Sequence, residues 1–226
     1  MGGKATSRWP MSDKPWGVSV TVDHVVLVTF VQSSLVVEFS EDGQQLRRIT
    51  LPPDVLHPLH ADWLTPSGHL LVSHGDGADP VHRLCALDVD DGGRATTAAA
   101  TNGLRPCRRD HILDVAELGY LISDVAMDVP GHLAVDRRSG VVLVADVNNC
   151  RLLTVDRNLT RCAGLLQLGV EREFPTRLSL DTTRRRLYVA YNGAVRDGRW
   201  TAGRVLVFFL GDYRRLIQDF RKRSAD

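Results

Sequence analysis

Short apolar segments of five to seven residues recur along the chain in sets of three, separated by Gly, Asp, Asn and Ser. The clearest set is PGHLAVD from Pro130, GVVLVAD from Gly140 and NNCRLLTVD from Asn148. Another runs PTRLSLD from Pro175, RLYVAYN from Arg186 and GRVLVFF from Gly203. PLHADWL from Pro58, GHLLVSH from Gly68 and HRLCALDV from His82 make a third. The remaining set is PWGVSV from Pro15, HVVLVTF from His24 and SLVVEFS from Ser34. Segments this short, rich in Val and Leu and bounded by turn residues, read as strands. A fourth strand is expected after each set, as at Gln45 to Leu51 beyond the Asp42–Gly43 turn.

The opening prolines lie 43, 72 and 45 residues apart. Four antiparallel strands in a unit of about 40 to 45 residues describe one blade of a β-propeller. A lone blade cannot cover both faces of its sheet, whereas blades packed side by side can. The expected fold is therefore all-β, with at least four blades near 12–52, 55–92, 128–168 and 173–211. Residues 93–127 read as an irregular insert, a long inter-blade loop carrying a short helix. Residues 1–11 read as a flexible tail and 212–226 as a basic C-terminal tail.

The pattern resembles the NHL repeat. Gly131, His132 and Leu133 stand at the Asn-His-Leu signature, and Ala145, Asp146, Asn149, Arg151 and Leu152 match the following Ala-Asp-x-x-Asn-x-Arg segment. Asn148 occupies a usual Gly position, where a left-handed backbone is expected and Asn tolerates it. The polar pair thins out in the other copies. The fourth keeps Arg204 but has Tyr191 in place of the Asp, the second keeps Arg83 without the Asp, and the first has Phe30 and Leu35 at the two positions. Asp146, Asn149, Arg151, Arg83 and Arg204 thus read as structural turn chemistry rather than ligand contacts. The resemblance implies six blades, of which four are visible. An open arc would expose apolar faces, so the chain is expected to be an excerpt of a longer ring or to self-associate.

Composition narrows the function classes. The 226 residues carry 28 Lys and Arg against 27 Asp and Glu, so no global field draws nucleic acid or membrane. Cys85, Cys107, Cys150 and Cys162 lack Cys-x-x-Cys spacing, which disfavours zinc. No signal-peptide or membrane-spanning run is visible, so a reducing cytoplasmic setting is expected, with the nucleus as the alternative. The Asn158–Thr160 sequon reads as chance. Gly2 and Thr6 fit a weak myristoylation pattern.

Candidate chemistry is sparse. His57, His60, His69, His74 and His82 cluster with Asp76 and Asp79. The acids and His74 share one Gly-rich loop, whereas ligands of metal-dependent lyases with similar propellers come from several blades. Ser73 and His74 are strand neighbours that point to opposite faces, a poor nucleophile–base pair. No phosphate loop, dinucleotide fingerprint or nucleophile elbow appears. Arginine is prominent on loops. Arg137 and Arg138 occupy the same turn of their copy as Arg184 and Arg185, and Arg108 and Arg109 lie in the insert. These six are the candidate partner- or RNA-binding residues.

The leading expectation is a non-enzymatic protein-interaction module without cofactor or metal. The resemblance implies a setting such as substrate recognition in ubiquitin ligation, with no RING or B-box in this sequence. An RNA-binding face and a metal-dependent lyase are the alternatives.

Overall fold

The computed structural model describes residues 8–11, 13–64, 67–75, 83–100, 105–106, 127–167, 174–193, 195–196, 199–200 and 203–210. The first blade is β1 (Pro15–Val20), β2 (Val26–Phe30), β3 (Leu35–Phe39) and β4 (Gln45–Thr50), antiparallel in that order. The second is β5 (Pro58–Leu64), β6 (His69–His74), β7 (Arg83–Val89) and β8 (Ala95–Ala100). A short β9 (Arg105–Pro106) joins the third blade. That blade holds β10 (Pro130–Asp136), β11 (Val141–Asp146), β12 (Arg151–Val155) and β13 (Arg161–Gln167), with β9 parallel to β13. The fourth blade has β14 (Phe174–Asp181), β15 (Arg186–Asn192) and β18 (Arg204–Phe209). A hairpin of β16 (Val195–Arg196) and β17 (Arg199–Trp200) lies between β15 and β18 in the chain.

Each blade has a proline at the first or, in the fourth blade, the second position of its inner strand, where a residue with no N–H to offer the ladder is tolerated. The register then slips just after it, between Pro15 and Val18, Pro58 and His60, Pro130 and His132, and Pro175 and Arg177. A bulge repeated at one place in four copies bends each inner strand in the same way. The inner strands β1, β5, β10 and β14 consequently follow one another side by side.

Three apolar layers bind the blades. Leu27, Val36 and Ile49 of the first meet Leu70, Val72 and Leu87 of the second. Leu71 and Leu84 of the second meet Val142, Val144 and Leu153 of the third. Leu143 and Leu152 of the third meet Leu187, Val189 and Tyr191 of the fourth. Strand β11 is buried at every position because both its faces are covered.

The structure redraws two boundaries. Ala95–Ala100, read as the start of the insert, is the fourth strand of the second blade. Its Ala and Thr content conceals it, yet Ala95 is buried in the layer against the first blade. The expected short helix lies outside the described residues. Residues 8–11, read as tail, seat Trp9 and Met11 on the outer face of the first blade. Trp9 and Phe39 have ring centroids 6.0 Å apart. Gly43, at φ 83°, turns directly beneath the Trp9 ring, where a Cβ would collide.

The hairpins leading to the fourth strands share a cap. Ser40 Oγ accepts the Gln44 amide, Asp90 Oδ1 the Arg94 amide and Asp156 Oδ1 the Thr160 amide, at 3.1, 2.8 and 2.7 Å. Such side-chain turns fix hairpins locally. In the fourth blade the same position is Leu210, which is buried and sends its amide to Arg185 O at 2.9 Å.

Close packing of inner strands makes Gly17 a sensitive position. Its amide donates to Thr29 Oγ1 at 2.8 Å, and a Cβ there would run into Leu59 O and the Thr29 hydroxyl. Gly17→Ala is expected to cost about 2 kcal/mol by forcing the first two blades apart. Denaturant unfolding checks it, and a midpoint equal to that of the parent would contradict the packing.

Candidate functional site

The polar residues of the repeat meet across one rung of each blade. Asp146 pairs in register with Arg151, His74 with Arg83, Tyr191 with Arg204 and Phe30 with Leu35. In the third blade Arg151 Nε donates to Asp146 Oδ2 at 2.6 Å, and Asn149 Nδ2 donates to the same oxygen at 2.9 Å. The Asp128 amide reaches Asp146 Oδ1 at 2.7 Å. Burial pushes the Asp146 carboxyl up, and Arg151, Asn149 and the Asp128 amide pull it back. The group ties the loop that enters the blade to its central hairpin.

The second blade solves the same problem with other atoms. His74 Nε2 accepts Arg83 Nε at 3.2 Å, and Arg83 Nη2 reaches Asp54 Oδ2 at 2.6 Å. Cys85 Sγ lies 3.4 Å from the same His74 nitrogen, and burial pushes its thiol up to about 11. Ser73 turns the other way, donating to His60 O at 3.4 Å. In the third blade's turn the left-handed residue is Cys150, at φ 51°, and not Asn148 as expected. Cys150 ends the turn just before β12, so the left-handed step falls there.

A second constellation lies at the axis. The residue two beyond each opening proline is Gly17, His60, His132 or Arg177. The His60 and His132 rings stack with centroids 3.8 Å apart. His60 Nε2 sits 3.3 Å from Val18 O, and its Nδ1 is buried without a partner. His132 Nδ1 accepts the Leu178 amide at 3.4 Å, so its proton resides on Nε2. Burial holds His60 well below the usual imidazole range, with His132 adding to it. Burial and then Arg177 bring His132 down to about 4. Both rings are neutral near pH 7.

These rings line a cavity of about 450 Å³ together with Val18, Asp62, Arg137 and Ser179. Burial pushes Asp62 up to about 6 even though Arg137 draws it down. Arg137 Nη2 donates to Val20 O at 2.8 Å and lies 3.6 Å from Asp62 Oδ1. One guanidinium from the third blade thus reaches both the first and the second.

The candidate arginines do not share one environment. Arg137 is spent across the axis. Arg138 is exposed, with its amide on Asp136 Oδ1 at 3.1 Å. Arg184 folds back on Asp181 at 3.0 Å. Arg185 is exposed at φ 53°, in the left-handed slot that Gly68 and Gly140 fill elsewhere. Arg108, Arg109, Asp76, Asp79 and His82 lie outside the described residues. Among the described residues no three His, Cys, Asp or Glu side chains gather as a metal site, and no helix is long and apolar enough to cross a membrane. Sequence reasoning missed the stacked pair. Its signal was Pro-x-His at the start of two copies.

Four blades sharing an inner-strand bulge and an axial cavity define a β-propeller arc, and solved structures agree. A chain of the nidogen/laminin complex is similar at 16% identity, with TM-score 0.54, over 86% of this chain and 64% of that one. The catalytically inactive H270A virginiamycin B lyase from Staphylococcus aureus, solved with quinupristin, is similar at 12% identity and TM-score 0.50, over 87% and 56%. Kuenenia stuttgartiensis hydrazine synthase follows at 10% identity and TM-score 0.50, over 91% and 53%. This chain therefore spans little more than half to under two thirds of each. These likenesses concern the fold. No family model matches the sequence, and neither does any curated protein.

Two outcomes follow. Removing Arg151 leaves a buried carboxylate unpaired, so Arg151→Ala is expected to cost about 3 kcal/mol. Arg204→Ala, at an exposed site opposite Tyr191, should cost clearly less. Paired melts test this, and equal losses would contradict it.

Acid stability tests the axis. His132 is depressed in the fold to about 4, so its contribution is present above about 6.5 and drains as pH falls toward 4. Asp62 runs the opposite way, because its carboxyl is raised to about 6 and favours the fold at low pH. His132→Gln should flatten the acid-side loss, and Asp62→Asn should steepen it. Melting temperatures between about pH 7.5 and 4.5 read both effects.

Proposed function

We propose that the chain is a non-enzymatic interaction module, a propeller scaffold that captures a segment of a protein partner at its axial mouth. One observation carries this reading. The ionisable groups deep in the cavity are either held neutral, as His60 and His132, or joined to another blade, as Asp62 and Arg137. A general acid or base needs an open path to substrate, whereas Asp62, the cavity group raised toward neutral pH, is held 3.6 Å from Arg137 of another blade. Here burial and inter-blade bonding make a rigid, concave platform instead, the usual form of a recognition surface.

The repeat pattern supports a finer placement. Propellers with similar NHL repeats serve as substrate-recognition ends of ubiquitin ligases, so protein ubiquitination in the cytoplasm is the setting proposed. The RNA reading is weaker, because Arg137 is turned onto the axis and Arg184 onto Asp181. Among the described residues that leaves Arg138 and Arg185 as the exposed arginines of the two turns not engaged in this way, a small basic surface for a phosphate backbone.

A photo-crosslinking amino acid at Ser179 on the rim, and another at Thr97 on a fourth strand, tests the reading in cells. Both positions are exposed. Protein adducts at Ser179 that Thr97 does not give are expected. RNA adducts at Ser179, or the same adducts from both positions, would overturn it.

A further inference from the structure

One face of the first blade turns Leu27, Val36 and Ile49 onto the second. The other carries three apolar cross-strand rows, Val20–Val26–Phe39, Val18–Val28–Val37 and Pro15–Phe30–Leu35. In the second and third blades both such faces are covered by a neighbouring blade. On this one the cover among the described residues is a strip of chain, with Trp9 and Met11 packed over the buried part of β2 and β3. At the inner ends of the rows Val18 and Val20 stay 60% and 51% exposed, so the strip leaves part of the face in water.

The strip has a shaped seat. Trp9 precedes Pro10, and a residue before proline is held extended. Arg8 and Pro10 are exposed while Trp9 and Met11 are half-buried, the alternation of an extended segment laid with one side on a sheet. The Trp9 ring lies 6.0 Å from Phe39 and so close over Gly43 that a Cβ there would collide with it. Its Nε1 is buried without a hydrogen-bond partner. The indole N–H therefore gives up water on seating and gains no acceptor, which weakens the hold. A seat fitted to one ring, and weakly held, makes an exchangeable cover.

We propose that this face is an interface for a second copy of the chain, first blade against first blade, and that the Trp9–Met11 strip is the plug that keeps it closed. Apolar blade faces elsewhere in the molecule are covered by blades, and stacked repeats stay apart only when their ends are capped. No charged residue stands in the three rows across β1, β2 and β3, so the face matches its own polarity. A two-fold pairing uses one patch on both copies and stops at two, whereas a contact between the first blade and the fourth would run head to tail. The pairing does not rest on capture of a partner at the axial mouth.

Sedimentation velocity of the full chain and its variants reads the association. The parent is expected to stay monomeric at micromolar concentration. Trp9→Ala should dimerise at least about ten-fold more tightly than the parent, while Trp9→Phe, which refills the seat, should behave as the parent does. Met11→Ser removes the other half of the plug and should act in the same direction, which keeps the test open if Trp9→Ala does not fold. Val18→Glu, at an exposed position in the middle row, should return either dimer to monomer by burying a charge without a partner. Plug variants that fold and remain monomeric would overturn the proposal. So would dimers that Val18→Glu leaves intact, which would place the contact elsewhere, and assemblies that grow past two, which would make the fourth blade the occupant. A parent that dimerises as tightly as Trp9→Ala would show that the strip closes nothing.

Discussion

A sheet that is apolar on both faces must be covered on both, and this requirement organises the molecule. In the second and third blades it removes the alternation expected of a half-buried strand. Thus β6 is buried at five of six positions and β11 at all six. The fourth blade shows the converse. Its β15 and β18 alternate because, among the described residues, one face packs on the third blade and the other is left open. The first blade covers its outer face partly with Trp9 and Met11, which draws residues just ahead of the first repeat into the fold. The inner-strand bulge serves the same requirement, since it lets adjacent strands approach as closely as Gly17 and Leu59 do.

The blade architecture was legible because turn residues and apolar runs repeat with a constant order. Even the equivalence of Asp146 with His74, Tyr191 and Phe30 could be approached from sequence, and the ladders place those residues opposite Arg151, Arg83, Arg204 and Leu35. What failed was composition as a guide at the margin. ATTAAA of β8 lacks the large side chains that identify the other strands, and it is held by backbone pairing and by the Asp90 cap. The acceptors of Arg83 show a second limit. Asp54 stands 29 residues earlier in the chain, so no local motif connects it to the arginine it holds.

The axial pair marks a different boundary. His60 and His132 could be found as Pro-x-His, but their stacking depends on the spacing between blades, which no single copy encodes. Once stacked and buried, two imidazoles cannot both be charged, and the cavity is fitted to their neutral forms. The long contact from the Leu178 amide assigns the tautomer of His132 from outside its own blade. The character of the site therefore arises between repeats.

Arg137 and Arg184 carry that argument to its end. They follow aspartates that cap the same hairpin, Asp136 holding the Arg138 amide and Asp181 the Arg184 amide. The turns are equivalent, and from sequence they suggested a shared basic patch. Yet Arg137 extends over the axis to Val20 O and Asp62, while Arg184 bonds back to Asp181. The difference lies first in position, since Arg137 directly follows Asp136 whereas Arg184 stands three residues after Asp181, and then in the neighbours. The third blade's turn faces the inner strands of the first two, and Asp62 there needs a cation because burial has raised its carboxyl. Ser139, three residues after Asp136 as Arg184 is after Asp181, donates its Oγ to Asp136 at 2.6 Å. Repetition in a propeller predicts where a backbone goes, and the surrounding blades decide what its side chains hold.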